Sequence, residues 1–289
     1  MLVHIKKIIK ETEKRKNALG AFDTFNFEIT MGIIEGAIQA KSPIIVQVTP
    51  KTLKYAGVKT ITQIIQSIAD NQGKDIDIAL HLDHGRTLSE VEECIKSGFS
   101  SVMIDASDQS FKRNIVLTKE VVQYAHQHNV WVQAELGVVG KGRDGYQRLI
   151  LKPEEFLTDP DQSQEFVKKT KINTLAVAIG NIHGHYKMEY GVPKLFLSRL
   201  KDIKRKIDIP LVLHGASGIA LSQIKQAINL GIRIINIDTE IRMAFKRALK
   251  MSLKVKEKEL DPREILSPAI REIGKVVRDK IRIFNQSKT

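Results

Sequence analysis

The tightest constraint on the fold is an alternation that recurs eight times along the chain. Strand-length apolar runs occupy Leu19–Phe22, Ile44–Val48, Ile76–Leu82, Ser101–Ile104, Trp131–Leu136, Thr174–Ile179, Leu211–Leu213 and Ile232–Ile237, with amphipathic helical runs between them. Strands this short and this uniformly apolar have no solvent face, and parallel strands covered by crossover helices are the arrangement that buries them on both sides. Eight strands alternating with helices predict an α/β fold in which a parallel sheet closes into a (β/α)8 TIM barrel. A doubly wound open sheet is the alternative, but no Gly-x-Gly-x-x-Gly follows the first strand. At 289 residues the chain is read as one barrel domain spanning 1–289. Helical sequence from Glu240 onward exceeds what a barrel needs, which predicts extra C-terminal helices packed on its outside or on a second subunit.

Helix boundaries are marked locally. Thr60 with Gln63 and Ser89 with Glu92 read as capping boxes, and Asp159-Pro160 as an N-cap followed by a first-turn proline. Gly98 and Gly231 stand where helices end, and a left-handed cap suits glycine. The longest unassigned connection, Gly137–Thr158, contains Gly140-Lys141-Gly142-Arg143-Asp144-Gly145 and reads as a lid or binding loop.

Composition excludes several classes. No apolar run approaches the roughly 20 residues of a membrane-spanning helix, and Met1–Lys7 has no secretory apolar core. The lone Cys94 cannot form an internal disulfide, which suits a reducing cytoplasm, and its position beside Val91 and Ile95 makes it a packing residue. Lys and Arg number 46 against 33 acids, a net charge of +13. Much of that excess lies at Lys246, Arg247, Lys250, Lys254, Lys256, Lys258, Arg271, Lys275, Arg278, Lys280 and Arg282, interleaved with apolar residues at helical spacing. This is the pattern of a solvated helix face. With no recognisable nucleic-acid module, neither nucleic acid nor a membrane is an expected partner.

Catalytic groups of such barrels gather at the C-terminal strand ends. Those ends carry Asp23, Thr49, Asp83 with His84, Asp105, Glu135, His183, His214, and Asn236 with Asp238. Each alone reads more readily as a cap or turn residue. Their number, and the His-Gly pairs at 84, 183 and 214, point to three imidazoles converging on a divalent ion with a coordination position left open. No strand ends in Lys, which argues against Schiff-base chemistry. Asp83 is placed to exchange a proton with a substrate hydroxyl. The Gly215-Ala216-Ser217-Gly218 turn and the Asn236–Thr239 turn expose backbone N–H groups after strands seven and eight, where barrels commonly bind phosphate. Metal, proton carrier and phosphate cradle together suggest enolate chemistry on a phosphorylated keto compound.

Over nearly its whole length the sequence resembles the class II, metal-dependent fructose-bisphosphate and tagatose-bisphosphate aldolases. The resemblance rests on Ala21-Phe22-Asp23, Ser42–Gln47, Leu82-Asp83-His84-Gly85, Met103–Ser107, Ala134–Gly137, Ile179–Gly184, His214–Gly218, Asn236–Thr239 and Asp261-Pro262-Arg263, in that order and spacing. It implies that His84, His183 and His214 hold a catalytic Zn2+, that Asp105 and Glu135 form an alternative metal position, and that Asp83 is the proton donor. It further implies that Gly184, Gly215, Ala216, Ser217, Asn236, Ile237, Asp238 and Thr239 bind the dihydroxyacetone-phosphate half, with a monovalent cation, Na+ or K+, nearby. Thr49 and Arg263 would serve the other phosphate, Arg263 from a neighbouring subunit of a homodimer or homotetramer.

Two positions depart from that pattern. Asp23 replaces an asparagine, so a negative charge stands near a phosphate and needs a compensating cation. Arg143 stands where the family carries a glutamate base, and arginine stays protonated. Asp144, one residue on and flanked by Gly142 and Gly145, is the candidate base, with Glu135, Glu154 and Glu155 behind it. These residues lead to a zinc-dependent aldolase cleaving fructose 1,6-bisphosphate, with tagatose 1,6-bisphosphate as the near alternative. A barrel that has lost catalysis and serves as a basic binding protein is the rival.

Overall fold

The computed structural model describes residues 1–184 and 194–285, the side chains at 141–143 and 146 excepted. Eight parallel strands close into a barrel. They are β1 (Leu19–Asp23), β2 (Ile44–Val48), β3 (Ile78–Gly85), β4 (Ser101–Ile104), β5 (Trp131–Leu136), β6 (Thr174–Val177), β7 (Leu211–Leu213) and β8 (Ile232–Ile237). Each pairs with its sequence neighbours, and β8 returns to β1 through Leu19↔Ile234 to Phe22↔Ile237. The expected eight strands are all present.

Strand alternation sorts their side chains. In β3, Ile78, Leu80 and Leu82 pack outward under the helices, while Ala79 faces a separate interior cluster. That cluster joins Leu19, Ala21, Ile45, Ala79, Ala176, Val212 and Ile234 with Ile5, Ile8 and Ile9. The last three belong to a helix, Ile5–Arg15, that stoppers the N-terminal end of the barrel. The sequence reading did not anticipate this plug. By closing the bottom, it leaves the C-terminal mouth as the open end.

The helix boundaries sharpen the caps. Asp159 Oδ1 accepts from Gln162 N–H at 2.8 Å, as expected. The other two boxes shift. Leu88–Lys96 is capped by Thr87, whose side chain accepts from Glu90 N while Glu90 Oε2 accepts from Thr87 N. Val58–Asn71 begins after Gly57, so Thr60 lies inside it. Extended backbone at Thr87, φ −133° and ψ 154°, is what an N-cap requires and Ser89, already helical, lacks it.

The helices Thr239–Val255 and Pro262–Asn285 are the expected extra elements. The last one lies tightly on Phe27–Ala40: a Cβ on Gly36 would stand 2.5 Å from the Gly274 carbonyl oxygen and 2.7 Å from Val277 Cβ. Lys246, Arg247, Lys250, Lys254, Lys258, Arg271, Lys275 and Arg282 are exposed, as read from the sequence, whereas Lys256, Arg278 and Lys280 are half-buried and Lys280 pairs with Glu240 at 2.7 Å. Among the described residues no helix is long and apolar enough to cross a membrane. Cys94 is fully buried and its thiol is pushed up to about 12 by that burial and by Glu93 and Glu90.

Residues Gly137–Thr158 differ from the expected loop. Gly140-Lys141 pairs in parallel with Ile182-His183, and Gly142–Leu151 is an α-helix followed by a short 3-10 turn at Pro153–Glu155. Leu149 anchors the helix by packing with Phe156 and Ile182. Those contacts are distant in sequence and override a local glycine content that favours a loop.

Candidate active site

The site begins with a defect in the sheet. Pairing of β3 with β4 runs Leu82↔Val102 and then Gly85↔Ile104, a bulge spanning Asp83 and His84. His84 takes a left-handed φ of 51°. On a regular strand neighbouring side chains point to opposite faces, and this kink lets both residues face the barrel mouth. Gly85 is required beside it, because a Cβ there would lie 2.6 Å from the Met103 carbonyl oxygen.

Three imidazoles converge above the bulge. Ring centroids are 4.8 Å apart for His84 and His214, 5.1 Å for His84 and His183, and 5.8 Å for His183 and His214. His84 Nε2 and His214 Nδ1 approach to 3.2 Å. His84, His183 and His214 offer ligand atoms within 4.8 Å of one another, and so do His84, Asp105 and Glu135. These two groups are made of the residues that the sequence reading offered as a primary and an alternative ligand set, and each could hold a metal ion. The donor chemistry fits a divalent ion, since His84 Nδ1 is engaged by Asp105 Oδ2 at 2.7 Å and its Nε2 is left to face the cluster. Among the residues behind the ligands, Gln133 Nε2 lies 3.0 Å from His214 Nε2, and Nδ1 of that ring is the atom that faces in.

Electrostatics follow from the packing. Burial alone would lower the His84 pKa, but Asp83, Asp105 and Glu135 outweigh it and hold it at about 9. Burial would raise Asp105, yet the bond from His84, the charge on that ring, the Ser107 hydroxyl and Arg86 bring it well below the usual carboxylate range. His214 is pushed well down by burial and by the neighbouring His84 and His183. Beneath it, His81 is lowered to about 3 by burial and His84, and its Nδ1 bonds Ser101 Oγ at 2.8 Å. Asp23 is raised well above normal by burial and by Asp238 and Asp83.

Asp83 is buried and held by amides on both oxygens: Gln47 Nε2 donates to Oδ2 and Asn236 Nδ2 to Oδ1, each at 3.3 Å. Its Oδ2 stands 3.8 Å from His84 Nε2. Gln47 Nε2 also donates to Asp23 Oδ2 at 3.1 Å. These buried amides fix the carboxylate without charging it.

Around this centre lies a pocket of about 440 Å³, lined by Asp23, Thr49, Lys51, Asp83, His84, His183, Gly184, Gly215, Ser217, Asn236, Asp238, Thr239 and Arg242. Gly184 and Gly215 have φ of 94° and 59°, and a Cβ at Gly215 would strike the Ile182 carbonyl. Ala216 and Ile237 are buried in the core cluster and do not line the pocket, so only their backbone could serve it. Two sequence candidates lie apart. Asp144 is exposed in the first turn of its helix, and Arg263 is 89% exposed and paired with Asp261 at 2.7 Å. The Arg143 side chain lies outside the described residues. Of the other base candidates, Glu154 bonds Arg199 and Glu155 bonds Arg148, while Glu135 Oε2 is 3.6 Å from His214 Nδ1. Lys51, Arg242, Gln47 and Gln133 were not assigned roles from sequence. The two glutamines had a visible signal, a buried amide at an inward position of an otherwise apolar strand.

Comparisons with known proteins agree over the same span. A profile of the family described as fructose-bisphosphate aldolase class-II matches residues 3–289. A fructose-bisphosphate aldolase from Geobacillus stearothermophilus is 38% identical over 287 residues, covering 99% of this chain and 98% of that one. One from Staphylococcus epidermidis is 37% identical with the same coverage. The crystal structure of the YdjI aldolase from Escherichia coli K12 superposes with a TM-score of 0.83 at 32% identity, covering 98% of this chain and 97% of that one. Fructose-bisphosphate aldolase from Campylobacter jejuni, 22% identical with a TM-score of 0.82 over 98% and 95% of the two chains, shares the fold.

Proposed function

The chain belongs to the class II fructose-bisphosphate aldolase family, and from that premise we propose that it is a single-domain, zinc-dependent ketose-bisphosphate aldolase. It reversibly cleaves fructose 1,6-bisphosphate to dihydroxyacetone phosphate and glyceraldehyde 3-phosphate, with tagatose 1,6-bisphosphate as the alternative substrate. The observation that carries this reading is the convergence of His84, His183 and His214 directly beside a buried, amide-held Asp83. His84, His183 and His214 hold the zinc, with Asp105 and Glu135 as its alternative position. When bound, the ion supplies Lewis-acid polarisation of the substrate carbonyl.

Every other role falls to the chain. Asp83 passes a proton to and from the substrate hydroxyl at the bond that breaks. Gly184, Gly215, Ser217 and the Asn236–Thr239 turn bind the dihydroxyacetone-phosphate half through backbone N–H groups and short polar side chains, and Na+ or K+ fits beside them. Ala216 and Ile237 contribute backbone only. Thr49 serves the other end, joined by Arg263 from a neighbouring copy in a homodimer or homotetramer. For the carbon-bound proton the proposed base is Asp144. Its helix follows the Gly140-Lys141 segment paired with Ile182-His183, and reaching the pocket requires that helix to swing inward. Glu135, already at the site, is the fallback.

A coupled cleavage assay on both sugar bisphosphates, with metal analysis of the same sample, tests the reading. Chelation should abolish cleavage and zinc should restore it, whereas trapping of an imine by borohydride would refute it. Exchange of the dihydroxyacetone-phosphate carbon proton with heavy water, in native enzyme and in Asp144→Asn, assigns the base. Unimpaired exchange in Asp144→Asn transfers the role to Glu135.

A further inference from the structure

Two candidate ligand sets share His84, and one of them needs Asp105. What Asp105 is already doing therefore weights the choice between them. Both of its oxygens are engaged. Ser107 donates to Oδ1 from its hydroxyl at 2.7 Å and from its N–H at 3.3 Å. Oδ2 meets His84 Nδ1 at 2.7 Å and Arg86 Nη2 at 3.7 Å.

Arg86 follows directly on the bulge that turns His84 into the mouth, and none of the roles above falls to it. It does not line the pocket around the three imidazoles. Its place is set from two sides. Its N–H donates to Glu90 Oε2 at 2.7 Å, in the first turn of the Leu88–Lys96 helix. Its Nη1 donates to the Asp105 carbonyl oxygen at 2.9 Å and to Asp108 Oδ2 at 3.2 Å. One guanidinium thus meets Asp105 at main chain and carboxylate together, with the exposed Asp108 as its outer partner.

A cation held 3.7 Å from a buried carboxylate acts in two directions. It favours the carboxylate as the acceptor for His84 Nδ1, which leaves Nε2 turned to His214. It opposes a second cation on the same carboxylate, because like charges close together in a buried place are poorly screened. The three-imidazole set uses no Asp105 oxygen and meets less of that opposition.

We infer that Arg86 is a positioning residue for the metal: it keeps Asp105 as the hydrogen-bond partner of His84 rather than a ligand, and so weights a divalent ion toward His84, His183 and His214. The inference rests on the metal-dependent reading and deepens it. It also carries a selectivity. An imidazole set suits zinc, whereas a set with two carboxylates suits manganese. Arg86 therefore biases the protein toward zinc.

The test measures Zn2+ and Mn2+ affinity on metal-stripped native protein, Arg86→Gln, Arg86→Lys and Asp108→Asn. Competition with a chromophoric chelator reads both ions, and the spin-resonance signal of free Mn2+ gives a second reading of that ion. Arg86→Gln should raise Mn2+ affinity about tenfold to a hundredfold, the usual worth of a group behind a metal ligand, while zinc affinity does not rise. Arg86→Lys keeps the charge and should stay within about threefold of native for both ions. Asp108→Asn leaves Arg86 less neutralised, so it should shift the preference the other way, lowering Mn2+ relative to zinc about two- to fivefold. That surface change keeps the test open if Arg86→Gln folds poorly. A residue that merely supports the fold would lower both affinities together, along with the melting midpoint. Parallel losses, no change in either ion, a lysine variant that behaves like the glutamine one, or a shift toward Mn2+ in Asp108→Asn would each overturn the inference while leaving a zinc-loaded native enzyme that cleaves its sugar bisphosphate. A native protein that binds neither ion, and cleaves neither sugar bisphosphate when zinc is supplied, would overturn the metal-dependent reading and the inference with it.

Discussion

In the proposed zinc site a proton on His84 competes with the ion, and this sets how metal affinity should depend on pH. His84 has a pKa of about 9, so at neutral pH it carries protons on both nitrogens. Nδ1–H points to Asp105 and Nε2–H points to His214 Nδ1, 3.2 Å away. Metal ligation through Nε2 must expel that second proton. At pH 7, two units below the His84 pKa, only about one part in a hundred is neutral, a penalty of about 2.7 kcal/mol on binding. The apparent zinc affinity should therefore rise about tenfold per pH unit from neutral pH and level off once His84 is deprotonated at about 9. The proposed assay is competition with a chromophoric chelator whose own protonation is known, run from pH 6.5 to 10 on metal-stripped protein. A His84→Gln control should be much weaker and nearly flat over the same range. An affinity that is already constant between pH 7 and 9 in the native protein would refute the argument, because it would mean that His84 is neutral before the ion arrives.

Three further outcomes follow from the same geometry. Asp83→Asn should keep near-stoichiometric zinc yet lose on the order of 10²–10⁴ in kcat, the usual worth of a general acid–base group; loss of metal in that variant would make Asp83 part of the ligand support instead. Gln133→Leu should weaken zinc about 10–100-fold by removing the amide that packs against the outer edge of the His214 ring, and chelator competition beside a melting curve would separate this from general unfolding. The metal-free protein should show a stability dome. His84, raised in the folded state, contributes stability that is complete below about 6.5 and lost as pH rises through about 9. His81 and His214, lowered in the folded state, contribute stability that is present above about 6.5 and lost as pH falls. Urea midpoints from pH 5 to 10 measure it, and a monotonic curve would contradict these assignments.

The barrel was legible because its signal is repetitive. Each strand is a short, mostly apolar run, and the same local rule read eight times gave all eight strands within a few residues of their observed ends. The three clustered histidines were legible for a related reason, since a polar residue at the end of an apolar run has one direction to face. Harder to read was whatever depended on contacts between distant elements. The Ile5–Arg15 plug precedes the first strand and belongs to no βα unit. The Gly142–Leu151 helix contains two glycines and is fixed by Leu149 against Phe156 and Ile182. Lys51 and Arg242 are ordinary surface cations until the barrel closes and sets which side of their helices faces the mouth.

Gln47, His81, Ser101 and Gln133 show most clearly where local pattern and function diverge. A barrel of this kind is normally filled with branched apolar side chains, and the layer below the three imidazoles is polar instead. It is also imperfectly satisfied. Among the described residues, His81 Nε2, Gln47 Oε1, Asp23 Oδ1 and Asn236 Oδ1 are buried without a hydrogen-bond partner, and the cavity among the Gln47, His81, Gln133 and Asn236 side chains is too small for water. Each such group costs about 1–3 kcal/mol relative to a satisfied one. The offset is positional. Gln47 and Asn236 clamp the two oxygens of Asp83, and Gln133 meets the outer nitrogen of His214. Apolar replacements at these places would give a better-packed barrel in which the His214 ring and the Asp83 carboxyl were free to turn. Ligation through His84 Nε2 and His214 Nδ1, as proposed, would need each ring held in one orientation. The polar layer supplies that restraint, and the unsatisfied atoms are what it costs the fold.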